Sequence, residues 1–286
     1  MFRALPFLIA LPLLGVDNQI QRLTERLSEE AAAFQRIAPQ LLGRETLEQK
    51  ARKTSSRFRI RVVDSTRAPE QPEWLTRTLV SEYGYTTFAG GALHELRQVV
   101  SVDGKPVKDN KGSQELARVM ATSDEKRKQE LLKTFEGYGL LGAVNDFGQI
   151  ILLFSTRGIV RYEFVFRGGE FVDGAGILVF TYRQIDGPNA LTVVDAGGDH
   201  AKEVRMQGEV WVRANNYLPV RVTMASAERQ KNRTVRHEAT VNYAPSEYGT
   251  LLPVSMHHRE IWDDSVVAEN DVHYEGFQKF GADQQK

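Results

Sequence analysis

The chain has 286 residues, 41% hydrophobic and 26% charged, enough to bury the core of one large domain or two small ones. Lys+Arg and Asp+Glu both number 37, so the net charge gives no reason to expect nucleic acid or a strongly acidic surface as partner. Cysteine is absent, which excludes disulfides, thiolate nucleophiles and cysteine metal ligands.

At the N-terminus, Arg3 precedes an apolar run over residues 4–16. Crossing a bilayer takes roughly 20 apolar residues. This run is shorter, contains Pro6 and Pro12, and matches the hydrophobic region of a secretory signal. Residues 1–16 are therefore expected to be a signal segment, which implies a periplasmic or secreted protein, at most peripheral to a membrane. A buried N-terminal helix is the alternative. No cysteine follows the run, so a lipid anchor at that point is not expected.

The remainder, residues 17–280, reads as a single β-rich domain followed by a polar tail at 281–286, expected to be disordered. Ile20, Leu23, Leu27, Ala31, Phe34, Ile37 and Leu41 recur at steps of three or four, the period of an amphipathic helix, with Pro39 and Gly43 punctuating its end. Residues 44–56 are polar and predict a linker or short helix. Residues 57–62 alternate charge and hydrophobe, a strand with one wet face. A strand pair follows at 76–88 and 93–102, joined through residues 89–91 and closed by Asp103-Gly104.

A helical insertion is expected over residues 105–154. Thr122 and Glu125 resemble a capping box for a helix carrying Leu131, Leu132 and Phe135, stopped at Gly137 and Gly139. Leu140, Val144, Phe147, Ile151 and Phe154 then predict a further helix. Beyond it the chain is strand and turn. Strands fall at 160–167, 177–184, 204–213, 218–224, 235–243, 251–262 and 266–277. Turns are expected at Gly168-Gly169, Asp173-Gly174, Asn215-Asn216, Pro245-Ser246 and Asp263-Asp264. About nine or ten strands with short connections imply antiparallel neighbours. The fold class is α+β: a large curved antiparallel β-sheet, half-barrel-like, with an N-terminal helix and a helical insertion packed on it.

Catalytic motifs are sparse. Asp146-Phe147-Gly148 spells a kinase magnesium triplet, but no glycine loop or catalytic loop accompanies it. The glycine pairs lack phosphate-loop spacing, and no G-x-S-x-G elbow occurs. His237 and His258 lie on inward strand faces, with Glu260 two residues beyond His258. They could hold zinc, act as an acid–base pair, or satisfy one another by hydrogen bonds. His94, His257 and His273 read as solvent-facing. Trp211, Trp262 and Phe277 are either packed under other elements or part of an apolar ligand surface.

The run Gly208-Glu209-Val210-Trp211-Val212, turning through Asn215-Asn216 into Leu218-Pro219-Val220-Arg221, resembles the hairpin of the LolA/LolB-like superfamily of lipoprotein-sorting proteins. The chain also resembles uncharacterised secreted bacterial proteins with stretches like Val99-Val100-Ser101-Val102-Asp103-Gly104 and Leu252-Pro253-Val254. The superfamily resemblance implies an open sheet whose concave side shelters acyl chains, at roughly 0.8 kcal/mol per buried methylene. The expected function is a non-catalytic periplasmic carrier, without cofactor or metal, for a lipid, lipoprotein or other hydrophobic cargo. Met206, Val210, Val222, Met224, His237, Met256 and His258 would line its site. A structural or interaction module of the envelope without ligand, or a metal-dependent hydrolase around His237, His258 and Glu260, are the alternatives.

Overall fold

The computed structural model describes residues 15–53, 73–89, 91–108, 112–140, 146–187, 192–194, 201–203, 205–230 and 233–280. The expected strand at 57–62, the tail at 281–286 and all but the last two residues of the expected signal segment lie outside these.

The first described element is helix α1 (Val16–Ile37), whose Leu23, Leu27, Ala31 and Phe34 are fully buried. It is followed by β1 (Leu41–Arg52), β2 (Trp74–Thr87), β3 (Leu93–Val102) and a two-residue β4 (Lys105–Pro106). Helices α2 (Gly112–Ala121) and α3 (Glu125–Tyr138) come next. The C-terminal half supplies β5 (Tyr162–Val172), β6 (Ala175–Gln184), β7 (Thr192–Val194), β8 (Ala201–Glu203), β9 (Gln207–Arg213), β10 (Pro219–Gln230), β11 (Arg233–Pro245), β12 (Leu251–Trp262) and β13 (Ser265–Lys279).

Eleven of these strands form one open antiparallel sheet in the order β4-β3-β2-β1-β13-β12-β11-β10-β9-β6-β5, while β7 and β8 pair separately. The sheet does not close, and with α1 against one face the molecule is the expected α+β half-barrel. Strand β1 ties its two halves together by pairing with both β2 and β13. Within the main core, Leu23, Leu27 and Phe34 of α1 join Leu47, Tyr83, Phe180, Val210, Val241, Met256 and Val272 of the sheet, which defines its inner face. Helix α2 packs Leu116, Val119 and Met120 against Leu42 and Leu96 on the outer face. Helix α3 lies against β3 and sends Phe135 to the inner-face Arg97. Among the described residues no helix is long and apolar enough to cross a membrane.

Several local expectations are corrected. Residues 44–52 are no linker, because β1 runs through them and Leu41 belongs to that strand rather than to the helix, while 54–56 lie outside the described residues. Its inward positions include Glu45 and Gln49, both buried, so the apolar alternation that marks a strand is interrupted. The capping box at Thr122 is displaced. Asp124 caps α3, accepting from the backbone N–H groups of Lys126 and Arg127, while the Thr122 hydroxyl accepts from Asp124 N–H.

The helix expected from Leu140 to Phe154 is, in its described part, a turn followed by a short 3-10 segment, Ile150–Phe154. Asp146 has φ +64°, incompatible with a right-handed helix. The spacing of Phe147, Ile151 and Phe154 reflects a buried plug, not a helical stripe. Gly168-Gly169 is not a turn: both lie inside β5, at a bulge where Gly168 takes φ +143°. The chain does reverse at Asn215-Asn216, yet the left-handed residue is Tyr217. Asn216 Oδ1 accepts from Leu218 N–H to brace that reversal. Asp103-Gly104 and Asp173-Gly174 form the expected turns with positive φ at both positions.

Candidate functional site

Strict alternation places Met206, Val210, Val222, Met224, His237, Met256 and His258 on the inner side, and all seven are buried. The five apolar members belong to the core that contains α1.

The glycine that opens the familiar hairpin is fixed by packing. A Cβ on Gly208 would sit 2.1 Å from the carbonyl oxygen of Thr223 on the neighbouring β10. That oxygen also accepts from the Tyr182 hydroxyl at 2.8 Å, so it has nowhere to move. Gly208→Ala is expected to cost about 3 kcal/mol, the upper range for overpacking a filled site. A loss of less than a third of that in the free energy of urea unfolding would contradict the clash. Trp211 and Arg221 of the same hairpin meet across β9 and β10, the guanidinium 4.8 Å from the indole ring. The Trp211 ring N–H donates to Glu209, and Arg221 Nε donates to Asn242 Oδ1 at 2.8 Å. Trp262 is likewise placed, donating to Glu260 with Arg233 over its ring. Both indoles are occupied by partners of their own sheet.

His237 and His258 do meet. His237 Nδ1 and His258 Nε2 lie 3.2 Å apart with the rings stacked. Their protonation follows from a chain of donors that starts at an unambiguous backbone group. Leu140 N–H donates to Gln49 Oε1, so the Gln49 amide nitrogen faces Asn270 Oδ1 at 2.7 Å. Asn270 Nδ2 then donates to His258 Nδ1 at 3.0 Å. His258 carries its proton on Nε2 and gives it to His237 Nδ1, which leaves the His237 proton on Nε2. Burial, and then the neighbouring His237 and His257, lower the His258 pKa well below its ordinary value.

Chemically this is a closed relay. Both ring nitrogens of His258 are engaged, so it has no lone pair free for zinc and no vacancy for a substrate proton. Glu260 Oε1 accepts the Trp262 indole N–H at 2.6 Å. Among the described residues, no group of three or more His, Asp or Glu is disposed to hold a metal ion. Of the readings weighed for this pair, mutual hydrogen bonding is the one the geometry fits.

A second buried polar cluster lies on β1, β2 and β3. Arg97 donates through Nε to Glu45 at 2.7 Å and through a terminal nitrogen to Glu95 at 2.6 Å, with its guanidinium 5.1 Å from the Tyr83 ring and 4.7 Å from the Phe135 ring. The Tyr83 hydroxyl is 2.8 Å from both Glu95 Oε1 and the Tyr85 hydroxyl. With one proton to give, it donates to the carboxylate and receives that of Tyr85. Burial raises the Glu95 carboxyl above its ordinary value, with Arg97 opposing. Arg97 is raised, since Glu45 and Glu95 outweigh the lowering effect of its burial.

Asp146-Phe147-Gly148 closes over this cluster. Asp146 accepts from Glu95 N–H and pairs with His94 Nδ1 at 2.7 Å, so His94 is half-buried rather than solvent-facing. Phe147 packs on His258, and a Cβ on Gly148 would lie 2.6 Å from Glu95 Oε1. Each member of the triplet thus has a structural task. Gln49, Asn270, Glu45, Glu95 and Arg97 escaped the sequence reading. Their one signal was parity: Gln49 falls in step with Leu47 and Ala51, and Asn270 with Ala268 and Val272.

No protein-family model matches this chain, and no curated protein does. Solved structures similar to it include a DUF1329 family protein from Desulfovibrio piger, at 10% identity and TM-score 0.37, covering 92% of this chain and 94% of that one. A putative outer membrane lipoprotein-sorting protein domain from Vibrio parahaemolyticus is 12% identical, with TM-score 0.35, covering 92% and 95%. A LolA superfamily protein from Nitrosomonas europaea is 10% identical, with TM-score 0.31, covering 91% and 94%. Likenesses this distant say nothing of a ligand or an activity.

Proposed function

We propose that the protein is an exported, non-catalytic carrier that shelters a lipid or other hydrophobic cargo against the inner sheet face, with α1 as a displaceable cover. The observation that supports this is the make-up of the inner sheet face that shares its core with the helix. Met206, just before β9, Met224 on β10 and Met256 on β12, three of the chain's five methionines, sit in one core with Val210 and Val222. Thioether side chains repack around different shapes at low cost, the property an adaptable apolar site needs.

The energetics are compatible. Leu23, Leu27 and Phe34 are the large apolar side chains that α1 buries completely, worth about 5–9 kcal/mol together as an upper estimate. An acyl chain with about ten sheltered methylenes supplies some 8 kcal/mol, enough to exchange places with the helix. Among the described residues the polar ties of α1 to the rest of the protein are few: Ser28 donates to Phe154 O at 3.2 Å, Leu251 N–H donates to the Glu30 carboxylate, and Arg22 lies over the Tyr217 ring.

Native mass spectrometry of protein gently purified from the producing cell tests the reading. A hydrophobic adduct is expected, lost when Met224 is replaced by Arg in a variant that retains its strand content. Empty protein that also fails to take up an added fatty acid would overturn it in favour of an envelope interaction module.

A further inference from the structure

Away from the inner-face methionines, a recess of about 370 Å³ opens between α1, the start of β3 and the turns on either side of the Ile150–Phe154 segment. That volume is within the range of small-molecule sites. Its lining includes Gln149, Arg157, Arg161 and Tyr162. Neither arginine has an ion-pair partner among the described residues. The one carboxylate in the lining, Asp146, is already held by His94 and by Glu95 N–H.

Two nearly buried polar atoms on this wall are orphans. Gln149 is 8% exposed and spends its amide nitrogen on Leu93 O at 2.7 Å. A flipped amide would set two carbonyl oxygens against each other, so Oε1 is left as an acceptor with no partner. Tyr162 is 6% exposed, and its ring is wedged edge-on against Phe154 and Tyr182, yet its hydroxyl has no partner either. Burial raises this phenol to about 12, with Arg161 opposing, so it stays a donor at any physiological pH. Buried polar groups of folded proteins are almost always satisfied, and two failures on one concave wall beside two unpaired cations call for a ligand.

We infer that this recess binds a small phosphate- or carboxylate-bearing group that also carries a hydroxyl. The anion would sit against Arg157, Arg161 and the Tyr162 O–H, and the hydroxyl would donate to Gln149 Oε1. A free metabolite and the headgroup of an acidic lipid share this chemistry. The inference goes beyond the carrier reading and does not depend on it, since none of the inner-face methionines takes part.

Titration with sn-glycerol 3-phosphate, followed by calorimetry and by thermal shift, tests it. Vesicles of phosphatidylcholine with and without phosphatidylglycerol form a second arm. Binding in either arm is expected to weaken about tenfold or more in the R157Q/R161Q double variant. Tyr162→Phe guards against misfolding. It removes an unsatisfied hydroxyl, so the melting temperature should hold or rise while affinity falls about threefold to tenfold. Response to glycerol phosphate identifies a soluble ligand, and response to phosphatidylglycerol vesicles alone identifies a lipid headgroup. Binding in neither arm, or binding indifferent to the arginines, overturns the inference. So does a Tyr162→Phe protein that loses stability but keeps its affinity, because the hydroxyl would then be satisfied within the protein.

Discussion

Replacing Arg97 by Met is expected to destabilise the protein by about 3–5 kcal/mol, the usual cost of removing one partner from a fully desolvated ion cluster. Arg97, Glu45 and Glu95 are each 2% exposed or less, so water cannot take over the missing charge. The deficit should depend on pH. A carboxyl whose folded pKa is raised contributes stability below its unfolded pKa, near 4.5, and loses it as pH rises through the folded value. Glu95 is already raised by burial against the pull of Arg97. Without that pull it rises further, so the variant should be weakest near pH 8 and partly recover toward pH 5. Adding Glu45→Gln and Glu95→Gln should restore stability at neutral pH by removing the stranded charges. Urea midpoints of the three proteins at both pH values decide the matter. A single loss of under 1 kcal/mol, equal at pH 5 and pH 8, would show that the cluster is not the charged triad described.

The second large effect lies in acid. His258 has its pKa lowered well below the ordinary 6.5, by burial first and by His237 and His257 next. Below pH 6.5 the unfolded chain takes up a proton at this residue and the folded protein does not. Stability present above 6.5 is therefore lost as pH falls, by up to about 1.4 kcal/mol per pH unit. His94 acts with the opposite sign. Its hydrogen bond to Asp146 raises it, so its contribution is complete below 6.5 and disappears as pH climbs through the folded value. Between pH 6.5 and 5 the His94 contribution changes little, and the raised carboxyls of Glu30 and Glu95 act alike in parent and variant, so the difference between the two curves isolates His258. His258→Gln should be less stable than the parent at pH 7.5, yet its curve should be shallower in that interval. Midpoints measured every half unit would show the difference, and parallel curves would mean that His258 protonates freely in the folded state.

Much of the architecture was legible because each strand has one dry and one wet side. From Tyr162 onward the inward positions are nearly all apolar, as in Val235, Ala239 and Val241 of β11, and the alternation survives even with His237 among them. The hairpin turns were legible for a local reason too, since Asp103-Gly104 and Asp173-Gly174 can hold positive φ at both positions. The helix expected after Leu140 failed because spacing alone cannot distinguish a helical stripe from a plug of buried side chains. Tyr217, rather than an asparagine, took the left-handed position, because Asn216 was used to hold Leu218 N–H.

The candidate site was legible only in part. Inward parity brought His237 and His258 to one face, but their chemistry is set by Asn270 and Gln49, and nothing near the histidines in sequence announces either. The sequence by itself determined the export expectation, the antiparallel class and the face on which most C-terminal side chains lie, since periodicity is a property of adjacent residues. Tertiary structure alone decided that β1 joins β2 to β13, that Gln49 reaches Asn270 across 221 residues, and that Glu45 and Glu95 share Arg97. A polar side chain can be buried only where a partner waits for it, and that partner is chosen by the pairing of distant strands.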